Sequence, residues 1–98
     1  MTLGEYQARL EALYGERDRA RGRDATFGWL VEEVGELSRA LRRGDRGNLE
    51  EEFSDVLAWL VSLATLEGVD MEKAAARFAA RCPKCAADPC ACPAERPE

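Results

Sequence analysis

Two short acidic motifs contain the residues of this sequence that are best suited to chemistry. The first, in "WLVEEVGEL", holds Glu32, Glu33 and Glu36, and the second, in "LEEEFSDVL", holds Glu52 and Asp55. Carboxylate oxygens are hard ligands that suit Mg²⁺ or Mn²⁺, and such ions commonly bridge proteins to phosphate oxygens. Because carboxylates brought together repel one another unless a cation compensates them, convergence of the two motifs would indicate a metal site.

Helical spacing places the two motifs on matching edges. In each motif two carboxylates follow an apolar position, Leu30 or Leu49, by three and six residues, and so lie at about 60° and 120° from it. Antiparallel packing around the short "GDRGN" turn would bring these four carboxylates to the margin of one core. Glu32, at about 160°, is a poorer ligand by geometry. The alternative is ordinary surface charges, supported by arginines such as Arg39 and Arg43.

The elements that must position these motifs are helices. Ala, Leu, Arg and Glu dominate the sequence and no alternating strand pattern occurs, which predicts an all-α four-helix bundle. The predicted helices run from Leu3, capped by Thr2, to Arg19; from an N-cap at Asp24 to "RRGDRGN"; from an N-cap at Asn48 to Glu67; and from an N-cap at Asp70 to Arg81. Residues 1–81 then form the domain, and residues 82–98 a Cys-rich tail.

Apolar residues predict both a core and a second packing surface. On the second helix, one stripe of four residues is predicted to pack the core: Leu30, Val34, Leu37 and Leu41. On the third helix, apolar residues cover an arc of about 220°, wider than one core face requires: Leu57, Trp59, Leu60, Val61, Leu63 and Leu66. A chain of 98 residues also builds only a modest core. Both observations favour association with a second copy.

Composition and charge exclude several classes of partner. The formal net charge is −5 and the isoelectric point is near 4.8, whereas non-specific binding to nucleic acids or membranes needs a basic surface. No run of apolar residues is long enough to span a bilayer, and "MTLGEYQARL" lacks the layout of a signal peptide. We therefore expect a cytoplasmic protein that binds neither membrane nor nucleic acid.

The tail presents a separate candidate metal site. Cys82 and Cys85 form a CxxC motif, and Cys90 and Cys92 form a CxC motif. Four thiolates this close together can close a tetrahedral Zn²⁺ site, and in a reducing compartment they favour metal over disulfides. The alternatives are free or redox-active thiols and an iron–sulfur cluster.

The two acidic motifs together resemble those of a known family. "LVEEVGEL" followed by "EEEFSDVLAWL" is similar to the EExxE and ExxD signature of MazG-like nucleoside triphosphate pyrophosphohydrolases, in the all-α NTP pyrophosphatase superfamily. The resemblance covers about residues 24–82. It implies hydrolysis of the α–β phosphoanhydride of an NTP or dNTP to the monophosphate and pyrophosphate, in removal of surplus or non-standard nucleotides. It also implies Mg²⁺ as cofactor, with Mn²⁺ as a substitute, and a homodimer or a tetramer of two dimers.

The resemblance also implies roles for individual residues. Glu33, Glu36, Glu52 and Asp55 would bind Mg²⁺, and Glu32 would be an outer ligand or orient the attacking water. Many relatives carry a lysine shortly before the first acidic motif, but "TFGWLVEE" contains none. The remaining predictions concern substrate contacts: phosphates at Lys73, Arg77 and Arg81, and a nucleobase flanked by Trp29 and Trp59. Solvent-exposed charges and aromatic residues buried between helices are the respective alternatives.

Two other functions remain open at this point. Phosphoribosyl-ATP pyrophosphohydrolase shares the superfamily and the reaction type. A non-enzymatic helical adaptor whose zinc tail binds a partner would need no convergence of the carboxylates.

Overall fold

The computed structural model describes residues 1–94 and contains four helices and no strand within that range. Their bounds are α1, Leu3–Arg21; α2, Arg23–Arg43; α3, Arg46–Leu66; and α4, Met71–Ala76. The all-α prediction is confirmed. No helix in these 94 residues has the length and apolar character needed to cross a membrane.

Two of the predicted N-caps are confirmed. The Thr2 hydroxyl accepts a hydrogen bond from the Glu5 amide at 3.0 Å, while the Thr2 amide donates to the Glu5 carboxylate at 2.7 Å, which completes a capping box on α1. The Asp70 carboxylate accepts from the amides of Glu72 and Lys73 at the start of α4. Both caps satisfy amides that lack a partner inside their helix.

The prediction that Asp24 caps the second helix is wrong. Gly22 alone separates α1 from α2, and α2 already begins at Arg23. Gly22 has φ near 88°, a conformation that side-chain-bearing residues rarely adopt, so the chain turns within one residue. Asp24 therefore lies in the first helical turn, where its carboxylate pairs with the Arg23 guanidinium at 3.1 Å.

The prediction that Asn48 caps the third helix is also wrong, by one turn. Gly44 ends α2 in the left-handed conformation, and Asp45 caps α3 by accepting a hydrogen bond from the Asn48 amide at 3.3 Å. A carboxylate at this position also interacts favourably with the helix dipole. The α2–α3 connection is therefore shorter than "GDRGN", and it reverses the chain tightly.

The fourth helix ends at Ala76, well before the predicted Arg81. Phe78 and Ala79 continue with hydrogen bonds to the carbonyls three residues earlier, so the helix tightens into irregular turns. No residue of α4 is fully buried. A short helix depends on packing for its stability. Because α4 buries no side chain fully, packing does not stabilise further helical turns after Ala76.

The core lies between α1, α2 and α3. The α2–α3 hairpin is the most extensive contact in the molecule, and α1 packs mainly against α3. Leu10, Ala40 and Val61 are the buried apolar residues in the described part of the chain, with Thr26 and Ser62 buried beside them. The core of one chain is therefore small.

The predicted apolar stripe of α2 is only partly correct. Leu30 and Leu37 are half-buried, but Val34 and Leu41 remain 48% and 56% exposed. The buried face of α2 instead includes the small residues Thr26 and Ala40, seven positions either side of Glu33. Because seven residues make almost two helical turns, Glu33 lies on that same face. The rotation of α2 thus turns an acidic side chain toward α3.

Candidate active site

Three carboxylates from the two acidic motifs converge between α2 and α3. Glu33 of α2 and Glu52 and Asp55 of α3 each offer one oxygen that lies within 4.8 Å of the others. Glu33 and Glu52 are half-buried and Asp55 is exposed, so the cluster lies at the margin of the hairpin, open to solvent on one side. Such an arrangement can hold a cation and leave coordination positions for a substrate.

The electrostatics of the cluster suit a bound cation. Burial, the negative charges of Asp55, Glu52 and Glu36, and a hydrogen bond with the Glu52 side chain raise the pKa of Glu33 above its ordinary value. In addition, the Oε2 atom of Glu52 is buried without a hydrogen-bond partner. An unpartnered buried carboxylate oxygen is costly, and a metal ion would compensate it. The donor set consists of oxygen atoms alone, which suits Mg²⁺ or Mn²⁺.

The two remaining acidic residues of the first motif lie outside this group of three. Glu36 is half-buried one turn after Glu33, and its carboxylate pairs with the Arg39 guanidinium at 3.2 Å. Its charge still contributes to the raised pKa of Glu33, so it lies near the cluster. Glu32 is exposed on the surface of α2. The structure thus brings together three of the five acidic residues selected from the sequence.

The two tryptophans stack on each other beside the carboxylates. Trp29 and Trp59 have ring centroids 6.2 Å apart and ring planes inclined by 23°. Trp29 lies one turn before Glu33 and Trp59 one turn after Asp55, so the aromatic pair joins the same two helices one turn from the cluster. The Arg21 guanidinium lies 4.8 Å from the centre of the Trp59 ring, which is a cation–π contact.

A cavity between α1 and α3 adjoins the carboxylate cluster, and the sequence analysis missed it. Its volume is about 310 Å³. Its lining residues are Tyr14, Arg17, Asp18, Arg21, Asp55, Ala58, Trp59 and Ser62. Asp55 belongs both to the cavity and to the carboxylate cluster. The sequence feature that could have indicated this cavity is the i, i+4 spacing of Arg17 and Arg21, which places both arginines on one face of α1.

Comparison with known proteins agrees with this geometry. A protein-family profile, described as the MazG nucleotide pyrophosphohydrolase domain, matches residues 21–86. The chain belongs to the MazG family. Membership supports nucleotide pyrophosphohydrolase activity in general, and it confirms the resemblance drawn from the acidic motifs. Among curated proteins, none matches the chain in sequence.

None of the basic residues predicted to contact phosphate lines the cavity that contains Asp55 of this MazG domain. Lys73 lies on α4. Arg77 comes directly after the end of α4, and the Arg77 guanidinium is 5.7 Å from the centre of the Phe78 ring. Arg81 lines a groove beside the cysteines. Within residues 1–94 none of the three forms an ion pair with the cluster. Two arginines of α1, Arg17 and Arg21, instead line the cavity that contains Asp55.

The four cysteines that follow the MazG helices form a compact group. Their sulfur atoms all lie within 4.8 Å of one another, with Cys82 and Cys92 separated by 3.8 Å and Cys85 and Cys90 by 4.0 Å. These distances exceed a disulfide bond, and all four thiols are unbridged. Around Zn²⁺, with metal–sulfur bonds of about 2.3 Å, tetrahedral ligands are about 3.8 Å apart. The cysteine geometry therefore fits one tetrahedral metal ion.

Backbone amides support thiolate character in part of this group. The amides of Cys85 and Lys84 donate to Cys82 and lower the pKa of its thiol to about 6. The Ala91 amide donates to the Cys85 sulfur at 3.3 Å, and this contact lowers the pKa of Cys85 as well. Cys92 shows the opposite effect, because interaction with the Cys90 side chain raises its pKa to about 12. Within the group, the pKa of Cys82 is therefore lowered while that of Cys92 is raised.

Proposed function

We propose that this protein is a Mg²⁺-dependent nucleotide pyrophosphohydrolase that cleaves an NTP or dNTP to the monophosphate and pyrophosphate. The observation that carries the proposal is the buried, unpartnered Oε2 atom of Glu52 within a cluster of three carboxylates. Family membership supports the class of reaction, and the oxygen-only donor set supports the metal. Removal of surplus or non-standard nucleotides is the role consistent with this activity.

In this proposal Glu33, Glu52 and Asp55 hold the metal ion. When bound, Mg²⁺ supplies neutralisation of the phosphate charge and polarisation of a water molecule. Glu36 is the fourth proposed ligand: its pair with Arg39 is largely exposed, and such pairs are weak, so its release costs little. Glu32, which is exposed on the first motif, is proposed as an outer ligand or as the carboxylate that orients the attacking water.

The aromatic pair is proposed to contact the nucleobase. Trp29 is half-exposed, and its ring lies beside that of Trp59 at the same helix interface that holds the carboxylates. Stacking of a base on an aromatic ring contributes about 1–3 kcal/mol and tolerates different bases. Lys73, Arg77 and Arg81 stay a sequence-based prediction for phosphate contacts.

A second copy of the chain is proposed to cover the outer face of the α2–α3 hairpin. On α2, Phe27, Val31 and Val34 are about half-exposed, as are Phe53 and Leu60 on α3. Monomers rarely leave so many large apolar side chains in water, and the buried core of one chain is small. A homodimer, or a tetramer of two dimers, would bury this face. Val61 no longer fits such an interface, because it is fully buried within its own chain.

The tail is proposed to bind one structural Zn²⁺ through Cys82, Cys85, Cys90 and Cys92. The match between the sulfur separations and a tetrahedral thiolate site supports this metal. The division into a domain of residues 1–81 and a tail of residues 82–98 is part of the same proposal; residues 95–98 lie outside the described structure. Clustered thiols that bind metal suit the reducing cytoplasm, where we propose that the protein acts.

A panel of substrates tests the function. Purified protein is incubated with each NTP and dNTP and with phosphoribosyl-ATP, with Mg²⁺ and after chelation, and the products are separated. We expect monophosphate and pyrophosphate from at least one NTP or dNTP, with Mg²⁺ only. Preference for phosphoribosyl-ATP would select that alternative. No turnover of any substrate would favour the helical adaptor, although the convergence of the carboxylates argues against it.

A further inference from the structure

Most of the α1 wall of the cavity lies outside the family match. The match begins at Arg21, whereas Tyr14, Arg17 and Asp18 precede it. The opposite wall is formed by α3 and includes Asp55, one of the three clustered carboxylates. A group bound to a metal ion at Asp55 therefore lies at the edge of this cavity.

The two arginines of this wall differ in what holds them. The Arg21 guanidinium is fixed by the buried Asp18 carboxylate at 2.8 Å and by the face of Trp59. Arg17 has no such anchor: within residues 1–94 it forms no ion pair. Arg17 is exposed, and its guanidinium remains available to an anionic ligand. Such a group binds phosphate oxygens with two parallel hydrogen bonds.

The volume of the cavity limits what it can hold. At about 310 Å³ it lies at the lower end of the range of about 300–1,000 Å³ typical of small-molecule sites. It therefore suits part of a nucleotide better than the whole. Arg17, which has no ion-pair partner within residues 1–94, lies on one wall, and Asp55, a proposed metal ligand, lies on the other. These two residues favour binding of the most highly charged part of a nucleotide, its phosphate chain.

We propose that Arg17 binds the two phosphate groups that leave as pyrophosphate. This inference rests on the proposed function, since it places the leaving group of that reaction between α1 and the carboxylate cluster. It also supplies the phosphate contact that the absence of a lysine before the first acidic motif requires. Arg17 is thus a further candidate for phosphate contact beside Lys73, Arg77 and Arg81, and the test below separates them.

The test compares Arg17→Ala with Arg19→Ala in the full chain. Arg19 is a matched control, because it is an exposed arginine of the same helix that pairs with Glu11 and does not line the cavity. Substrate KM, kcat and inhibition by inorganic pyrophosphate are measured with Mg²⁺. We expect Arg17→Ala to raise KM and the inhibitory pyrophosphate concentration about 10-fold or more. Arg19→Ala should leave both unchanged, and Arg17→Lys should restore part of the loss.

Failure of this inference and failure of the proposed function give different results. If the wild type hydrolyses nucleotides but Arg17→Ala behaves like Arg19→Ala, the inference is wrong and the function stands. If the wild type hydrolyses none, calorimetric titration with pyrophosphate and Mg²⁺ decides: binding that Arg17→Ala weakens about 10-fold supports the anion site. No binding to the wild type overturns it. A larger rise in KM for Arg77→Ala than for Arg17→Ala would restore the sequence-based assignment and reject ours.

Discussion

Glu33 of α2 and Glu52 of α3 face each other across the helix hairpin, with carboxylate oxygens within 4.8 Å and one Glu52 oxygen buried without a partner. When both carboxylates are ionised and no cation is bound, neither feature stabilises the protein, since like charges repel and a buried oxygen without a hydrogen bond is costly. The hairpin therefore contains a local destabilisation at the position where the proposed metal would bind.

Neutralising one of these carboxylates should abolish activity but preserve the fold. For Glu52→Gln or Asp55→Asn we expect turnover to fall about 100-fold or more, because a metal ligand is lost, with unchanged helix content by circular dichroism. The metal-free variants should be slightly more stable than the wild type, since repulsion is relieved. Glu50→Gln, an exposed acid on the same helix, is the control. Near-normal Mg²⁺-dependent activity in both site variants would refute the metal assignment.

The raised pKa of Glu33 predicts how stability depends on pH. A carboxyl whose pKa is raised on folding binds its proton more tightly in the folded state. Protonated Glu33 therefore adds to the free energy of unfolding at low pH. This contribution is lost as the pH rises from the ordinary glutamate range through the raised pKa. Bound Mg²⁺ should offset that loss, so the increase in Tm on adding Mg²⁺ should be larger at pH 7.5 than at pH 5.

Thermal unfolding of wild type and Glu33→Gln, with and without Mg²⁺, measures this effect. The substitution should reduce both the pH dependence of Tm in the metal-free protein and the increase in Tm on adding Mg²⁺, because the Glu33 carboxylate causes both effects. An equal Mg²⁺ effect at the two pH values in the wild type would contradict the proposed competition between the proton and the metal at Glu33.

Local signals in the sequence were sufficient for the presence of four helices, but not for all of their ends or for their orientation. Thr2 and Asp70 cap their helices as predicted, whereas α2 and α3 are capped at Gly22 and Asp45, two and three residues before the predicted caps. Which face of α2 packs into the core depends on how its side chains fit against those of α3. Small buried side chains at Thr26 and Ala40 turned α2 away from the stripe that includes Val34 and Leu41. Periodicity identifies apolar faces, but it does not decide which of two faces packs inside one chain.

The candidate site was predictable to the extent that it lies on one hairpin. Helical spacing and a short turn predicted the convergence of four carboxylates, of which Glu33, Glu52 and Asp55 lie together while Glu36 pairs with Arg39. The contribution of α1 could not, because nothing in the local sequence shows where a separate helix docks. Arg17 reaches the site only through the packing of α1 against α3, which is a tertiary contact.

Placing a charge on the outer face of α2 tests the proposed association. In Val34→Glu the new carboxylate would be buried without a partner in the interface, so we expect a shift to monomer at micromolar concentrations. Ala25→Glu adds the same charge at an exposed position about 180° around that helix from Val34, outside the proposed interface, and is the control. Sedimentation measures both variants. A wild type that is already monomeric at these concentrations would show that this face has another role.

The four cysteines should bind one Zn²⁺ per chain, and the bundle should fold without it. The sulfur separations fit a tetrahedral thiolate site, while α1, α2 and α3 and their contacts are complete before Cys82. The soft thiolates of the tail and the hard carboxylates of the cluster should then select different metals.

Elemental analysis of protein purified under reducing conditions should give one equivalent of zinc, and alkylation should label the thiols rapidly only after chelation. Cys85→Ser should lower the zinc content, with helix content by circular dichroism unchanged. Zinc well below one equivalent after reconstitution would reject the site, and global loss of helix on chelation would reject the independence of the bundle, because a metal confined to residues 82–92 can order only its own loop.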